Sequence, residues 1–240
     1  MSSVLPIFKR ELRSYFDSPM AYVVIIVFLL FTGWFFTSNF FMQAQANMRV
    51  LFGIVPFVFL FITPAITMRL ISEERKSGTI ELLVTMPVTD MSIIVGKYLA
   101  SVALLVAMIL PTLVYAITVA ILAQADVGMD LGPLIGGYLG LILMGAGYLA
   151  IGTFGSSLTE NQVVAFIVSW LLVFVFYMMD KVLIFLPRWL VAPIEFMSIE
   201  YHFQNISRGV IDSRDLIYYL TLIALALFFA ARSLAARRWR

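Results

Sequence analysis

Apolar runs of bilayer-spanning length alternate with short polar segments along the whole chain. A membrane helix needs about 20 apolar residues. Six stretches qualify: Met20–Phe41, Leu51–Ile71, Met91–Leu122, Leu131–Ser157, Val163–Leu186 and Leu216–Ala235. The third and fourth are long enough to tilt or to project beyond the hydrocarbon. Pro56, Pro64 and Pro111 lie inside spans, where each removes a backbone hydrogen bond, so kinks are expected near them. Ahead of the first span, Val4–Ser18 is amphipathic. Leu5, Phe8, Leu12, Tyr15 and Phe16 recur at helical spacing, and Lys9, Arg10 and Arg13 take the other side. That pattern suits a helix lying in the membrane interface with its basic side toward anionic headgroups. Asp17-Ser18-Pro19 then turns the chain into the bilayer.

The longest polar interruption in the first half is Arg69–Ser92. Ser72-Glu73-Glu74-Arg75-Lys76 is expected to continue the second span past the membrane. Ser77-Gly78 is a stop, since glycine suits a helix C-terminus. Thr79 can cap a new short helix with Glu81 in its first turn. Ile80, Leu82, Leu83 and Val84 give that helix apolar bulk, Met86-Pro87 ends it, and Asp90 can cap the third span. The expected product is a short helix over Thr79–Thr85, parallel to the membrane and flanked by charges. On composition alone, Glu73-Glu74-Arg75-Lys76 would equally be a solvated run of weak intrahelical pairs.

Two further segments stand out. In the fourth span Gly132, Gly136 and Gly140 are four apart and share one face, a spacing that lets helix backbones approach closely in lipid. Packing within the chain is the first expectation, and a dimer seam is the alternative. Between the last two spans, Asp180–Asp215 is broken by Pro187 and Pro193 yet stays apolar at Phe185–Val191 and Ile194–Met197. It is expected to form short helices that dip into the outer leaflet or cap a cavity mouth. Trp189, Tyr201, Tyr218 and Tyr219 would then join an interfacial aromatic belt.

Composition fixes the solvent. Of the 240 residues 62% are hydrophobic and 12% charged, against about 25% charged in soluble domains, so one soluble core cannot bury the excess. The net charge of +2 gives no reason to expect nucleic acid. The distribution of Lys and Arg sets orientation. With both termini inside, the inner side holds Lys9, Arg10, Arg13, Arg69, Arg75, Lys76, Lys97 and Arg232 together with Arg237, Arg238 and Arg240. The outer side holds only Arg49, Lys181, Arg188, Arg208 and Arg214. There is no cysteine and a single histidine, His202, so thiolate and multi-histidine metal sites are excluded. Asp126 and Asp130 are too sparse to suggest a metal.

No catalytic motif is present. Gly96-Lys97 lacks the upstream glycine and the following Ser or Thr of a phosphate-binding loop. No ionisable residue is expected at mid-membrane depth, and no repeat of the two halves is visible. Ion-coupled carriers generally need the former and often show the latter.

Glu73-Glu74-Arg75, Gly78-Thr79, Glu81, Leu82-Leu83 and Pro87 resemble the cytoplasmic segment of ABC-2 type transporter permeases. The order of elements is similar along the whole chain. Lys9-Arg10-Glu11-Leu12, Tyr15-Phe16 and Ser18-Pro19, with His202-Phe203 and Ser207–Asp212, resemble the branch that contains the gliding-motility permease. The resemblance implies an all-α integral membrane protein, a single transmembrane domain over residues 1–240. It has an N-terminal interfacial helix, six spans, a coupling helix at Thr79–Thr85 and an outer-leaflet hairpin before the last span. It implies an exporter subunit of a bacterial inner membrane with both termini cytoplasmic. Two permease chains, identical or related, would pair over a cytoplasmic ABC ATPase dimer that binds ATP and Mg. This chain would hold no cofactor and catalyse nothing itself. Glu73, Glu74 and Arg75 would border the docking surface, and an accessory membrane or periplasmic protein and lipids would be further partners. The alternatives are a scaffold or force-transmitting subunit driven by an ABC ATPase, and a secondary carrier.

Overall fold

The computed structural model describes residues 4–43, 48–78, 89–122 and 130–236. Every regular element among them is helical. In chain order these are α1 (Val4–Asp17), α2 (Pro19–Gln43), α3 (Arg49–Thr67), α4 (Ser72–Lys76) and α5 (Asp90–Ile109). A 3₁₀ turn over Leu110–Thr112 joins α5 to α6 (Leu113–Leu122). Then come α7 (Leu131–Ser157), α8 (Gln162–Val182), α9 (Arg188–Met197), α10 (Ile199–Ser207) and α11 (Ser213–Ala235). Six helical stretches are long and apolar enough to cross a membrane. The expected spans and the observed ones coincide to within a few residues, because twenty-residue apolar runs can satisfy their backbone in lipid only as helices.

The glycine-rich α7 is the axis of the bundle, touching α3, α5, α8, α10 and α11. Lipid tails are as apolar as leucine, so helix association in a membrane depends on close packing and on hydrogen bonds. The glycines of α7 supply the first. Gly137 receives the ring of Phe52, Gly145 the side chain of Leu105, and Gly152 the side chain of Thr67. Gly155 receives Ser169, at distances that a Cβ would forbid. The Gly132–Gly136–Gly140 face meets another part of the same chain. Gly140 lies under the Phe203 ring, Gly136 under the Ile206 carbonyl and Gly132 beside Gly209. α10 therefore runs antiparallel along the first half of α7.

Three local expectations are corrected. First, Ser72–Lys76 does not extend α3. The chain turns over residues 68–71 and restarts as α4. Ser156 of α7 holds this turn: its Oγ accepts from the N–H groups of Ile71 and Ser72 at 3.2 and 3.3 Å and donates to the Met68 carbonyl at 3.2 Å. One hydroxyl thus replaces helix bonds that the turn breaks. Second, the cap of α5 is Thr89, with extended backbone and its Oγ1 accepting from Ser92 N–H. Asp90 falls in the first turn, where its charge still faces the positive helix end. Third, of the three in-span prolines only Pro111 sits at a break, in the 3₁₀ turn. The turn is tied to α7 by Tyr138, whose hydroxyl donates to the Thr112 carbonyl at 2.9 Å. Pro56 and Pro64 lie within one continuous helix, and next to Pro64 the Thr63 hydroxyl donates to the Phe59 carbonyl.

Ser77-Gly78 ends α4, with the Ser77 N–H on the Glu73 carbonyl and Gly78 at φ +69°. Among the described residues nothing lies within 4 Å of a Cβ placed there, so backbone strain is what opposes a side chain. Gly78→Ala is expected to lower the unfolding free energy in detergent by about 1 kcal/mol. Gly78→Asn should cost less, because asparagine tolerates this region. Equal stability of all three in thermal melts would contradict the left-handed cap.

Candidate docking junction

One end of the bundle gathers α1, α4, the start of α5 and the end of α7, and here the polar residues of Arg69–Ser77 find partners. Glu73 closes an i,i+4 pair with Arg69 at 2.7 Å. This part of the stretch is the intrahelical pairing that composition alone suggests. Its neighbours reach outward. Glu74 Oε1 accepts from Lys97 of α5 at 2.9 Å and from Arg10 of α1 at 3.2 Å. The Arg75 guanidinium donates to the Ser157 carbonyl at the end of α7. Ser233 of α11 donates to that same carbonyl at 3.0 Å.

Lys97 is the centre of this junction. Its side chain is 2% exposed and also meets Glu11 Oε2 at 3.1 Å. Taking an ammonium out of water costs several kcal/mol, and two carboxylates from two different elements offset it. Lys97 and Arg10 balance the charges of Glu11 and Glu74, with the ammonium at the buried side and the guanidinium at the surface. α1 can approach because Gly96 has no side chain: a Cβ there would lie 2.8 Å from Ile7 Cγ2 and 3.1 Å from the Val4 carbonyl.

α1 itself divides differently from the expected apolar and basic faces. Tyr15 is buried, and Phe8 and Leu12 pack on the core. Leu5 and Phe16 are exposed, and Glu11 occupies the packed face. Lys9 is exposed. Arg10 turns to Glu74, and Arg13 pairs with Asp17 at 3.4 Å on the surface. Thr79, Glu81, Leu82, Leu83 and Pro87, and with them the short helix expected over Thr79–Thr85, lie outside the described residues. Asp126 does as well. Gly132, Gly136 and Gly140 are at the opposite end of α7, under α10. Asp130 caps α7 by accepting from Gly132 N–H at 3.0 Å.

Sequence inspection missed Glu11, Lys97, Ser156, Ser157 and Ser233 as members of this junction. For two of them a signal existed. Glu11 interrupts the packed stripe of α1 between Phe8 and Tyr15, and Lys97 interrupts an apolar run well after its polar start. A charge on the buried face of each of two helices requires an opposite partner. Among the described residues no group of three or more His, Cys, Asp and Glu could hold a metal ion. The arrangement offers a stiff mechanical tie: residues 79–88 are flanked by α4 and α5, and Glu74 with Lys97 fastens those flanks to each other and to α1.

The chain matches the family model described as ABC-2 family transporter protein over residues 5–192, from α1 into α9. No curated protein matches it. With six membrane-length helices around a glycine-rich axis, and most of its length inside that match, the chain belongs to the ABC-2 transporter family as a multi-pass membrane permease subunit.

Proposed function

We propose that this protein is the membrane half of an ATP-driven exporter, and that force from a separate cytoplasmic ABC ATPase enters it at residues 79–88. The observation that carries this reading is the family match across α1 to α9, since the family works with an ABC ATPase in general. The junction supplies the mechanical route. A push on the segment after Gly78 is transmitted to α4. From there it passes through Glu74 to α1 and α5, and through Arg75 to the end of α7. Charged side chains with two or three partners resist shear better than apolar contacts in lipid, so these helices move together. In this reading Thr79–Thr85 is the coupling helix and α1 is the interfacial helix beside it. Two permease chains pair in a bacterial inner membrane with both termini in the cytoplasm. The likeness of the Lys9–Pro19 and His202–Asp212 segments supports the gliding-motility-permease branch as part of this reading.

The test is co-purification of a cytoplasmic ABC ATPase from the host membrane. Leu82→Asp is expected to abolish co-purification while membrane insertion stays normal. Cysteine labelling at Ser77→Cys should report the cytoplasm. Retention of the ATPase by Glu74→Lys combined with Leu83→Asp, or labelling of Ser77→Cys only from outside, would overturn the docking site.

A further inference from the structure

At the end of the bundle opposite the junction, the elbow between α9 and α10 is held by side chains that donate into its carbonyls. Tyr218 of α11 donates to the Met197 carbonyl at 2.6 Å, and Tyr219 donates to the Ile199 carbonyl at 2.9 Å. Both tyrosines thus clamp the hairpin, Tyr219 from a fully buried position. The third clamp is His202, whose side chain is 1% exposed. Its Nε2 lies 2.8 Å from the Phe196 carbonyl and its Nδ1 lies 2.6 Å from Asp215 Oδ1 on α11. The ring stacks on Tyr218 at 3.9 Å between centroids.

A carbonyl oxygen only accepts, so Nε2 carries a hydrogen. A carboxylate oxygen also only accepts, so with Asp215 ionised Nδ1 carries a second one. An imidazole between two acceptors is an imidazolium. We propose that the His202–Asp215 pair is a proton-binding latch: a proton held at Nδ1 seats the α9–α10 hairpin against α11, and loss of that proton releases it.

No other group nearby can do the proton's work. Around the pair stand Tyr201 and Glu200 of α10, Tyr218 and Tyr219 of α11, and Tyr148 of α7. Tyr177, Asp180 and Lys181 of α8 act on the Glu200 side, and Arg188 and Glu195 belong to α9. Tyr218 and Tyr219 are committed to elbow carbonyls. Asp215 Oδ2, Glu200 Oε2 and the Tyr148 hydroxyl are buried with no hydrogen-bond partner among the described residues. Deprotonation would turn the Nδ1 lone pair toward a carboxylate that is 4% exposed and leave a net negative charge in a dry site. Burial also pushes the Glu200 carboxyl above its usual range, with Lys181 opposing, so a second negative charge beside the elbow is disfavoured. The sign follows: the latch is fully closed at low pH and is lost as pH rises. It stands independently of the proposed ATPase coupling.

The single histidine and the absence of cysteine make the test direct on the full chain in lipid nanodiscs. Histidine-selective ¹⁵N NMR should show N–H signals at both ring nitrogens at low pH and loss of the Nδ1 proton on raising it. Thiol labelling of Ile199→Cys, a fully buried position, is read relative to Ile211→Cys, an exposed one that reports intrinsic thiol reactivity. That ratio should rise about tenfold between about pH 6 and pH 9, the size expected for one lost charge-assisted hydrogen bond. In Asp215→Asn the amide can donate to a neutral Nδ1, so the ratio should stay low and flat. If that variant does not fold, His202→Gln replaces it, with a ratio that no longer changes with pH. A His202 ring with one N–H at every pH, or a ratio that is flat in the parent protein, overturns the latch.

Discussion

Lys97→Met will lower the stability of the detergent-solubilised protein by about 3–5 kcal/mol, the cost of leaving a buried charge network uncompensated. Methionine preserves the volume and the helix, so neither packing nor propensity explains such a loss. What changes is that Glu11 and Glu74, each 17% exposed, lose the ammonium that they share. The triple variant Glu11→Gln, Lys97→Met, Glu74→Gln should recover most of the loss. Buried ion networks and well-shaped neutral replacements differ little in net stability. The recovered protein keeps its fold but no longer ties α4 to α1 and α5, and nucleotide-driven transport should fall with it. Equilibrium unfolding of the single and the triple variant decides the matter. A single Lys97→Met with the parent's midpoint would mean that the junction is not dry.

Gly136→Ala and Gly53→Ala will move stability in opposite directions. A Cβ on Gly136 lies 2.2 Å from the Ile206 carbonyl oxygen and 3.2 Å from Gly209 Cα. These are backbone atoms and cannot swing aside, so α10 must move off α7. The expected loss is about 1–3 kcal/mol for alanine, and more for Gly136→Leu. Gly53 is also helical, in α3, but nothing lies within 4 Å of its Cβ. Removing its backbone freedom should gain up to about 1 kcal/mol. The pair separates helix propensity from helix contact. If Gly136→Ala melts with the parent, the α7–α10 contact is wrong.

The spans were legible in the sequence because a bilayer leaves an apolar run no alternative to a helix. The hairpin was legible as short helices, with Pro187 opening α9, but the break expected at Pro193 falls instead at Ser198, since Pro193 lies inside α9, and the hairpin's seat was not legible. Gly132, Gly136 and Gly140 announce close contact without naming the partner, and Phe203 and Ile206 lie more than sixty residues away in the chain. The clamps made by Tyr218 and Tyr219 were not legible for the same reason. A tyrosine near a span end suits water, headgroup or a buried carbonyl equally, and only the position of the elbow selects among them. The junction was legible at Glu73–Arg75 and Gly78. Its centre was not, because Lys97 and Glu11 each look like a lone charge until two distant helices meet.

Ser157 and Asp215 give α11 two very different moorings. Near one end, Ser233 shares the Ser157 carbonyl with Arg75 of α4. Near the other, Asp215 holds His202 of the hairpin. Eighteen residues separate them, about 27 Å at the helical rise. α11 is thus a rod moored at both ends of the bundle, so a tilt begun at one mooring displaces the other.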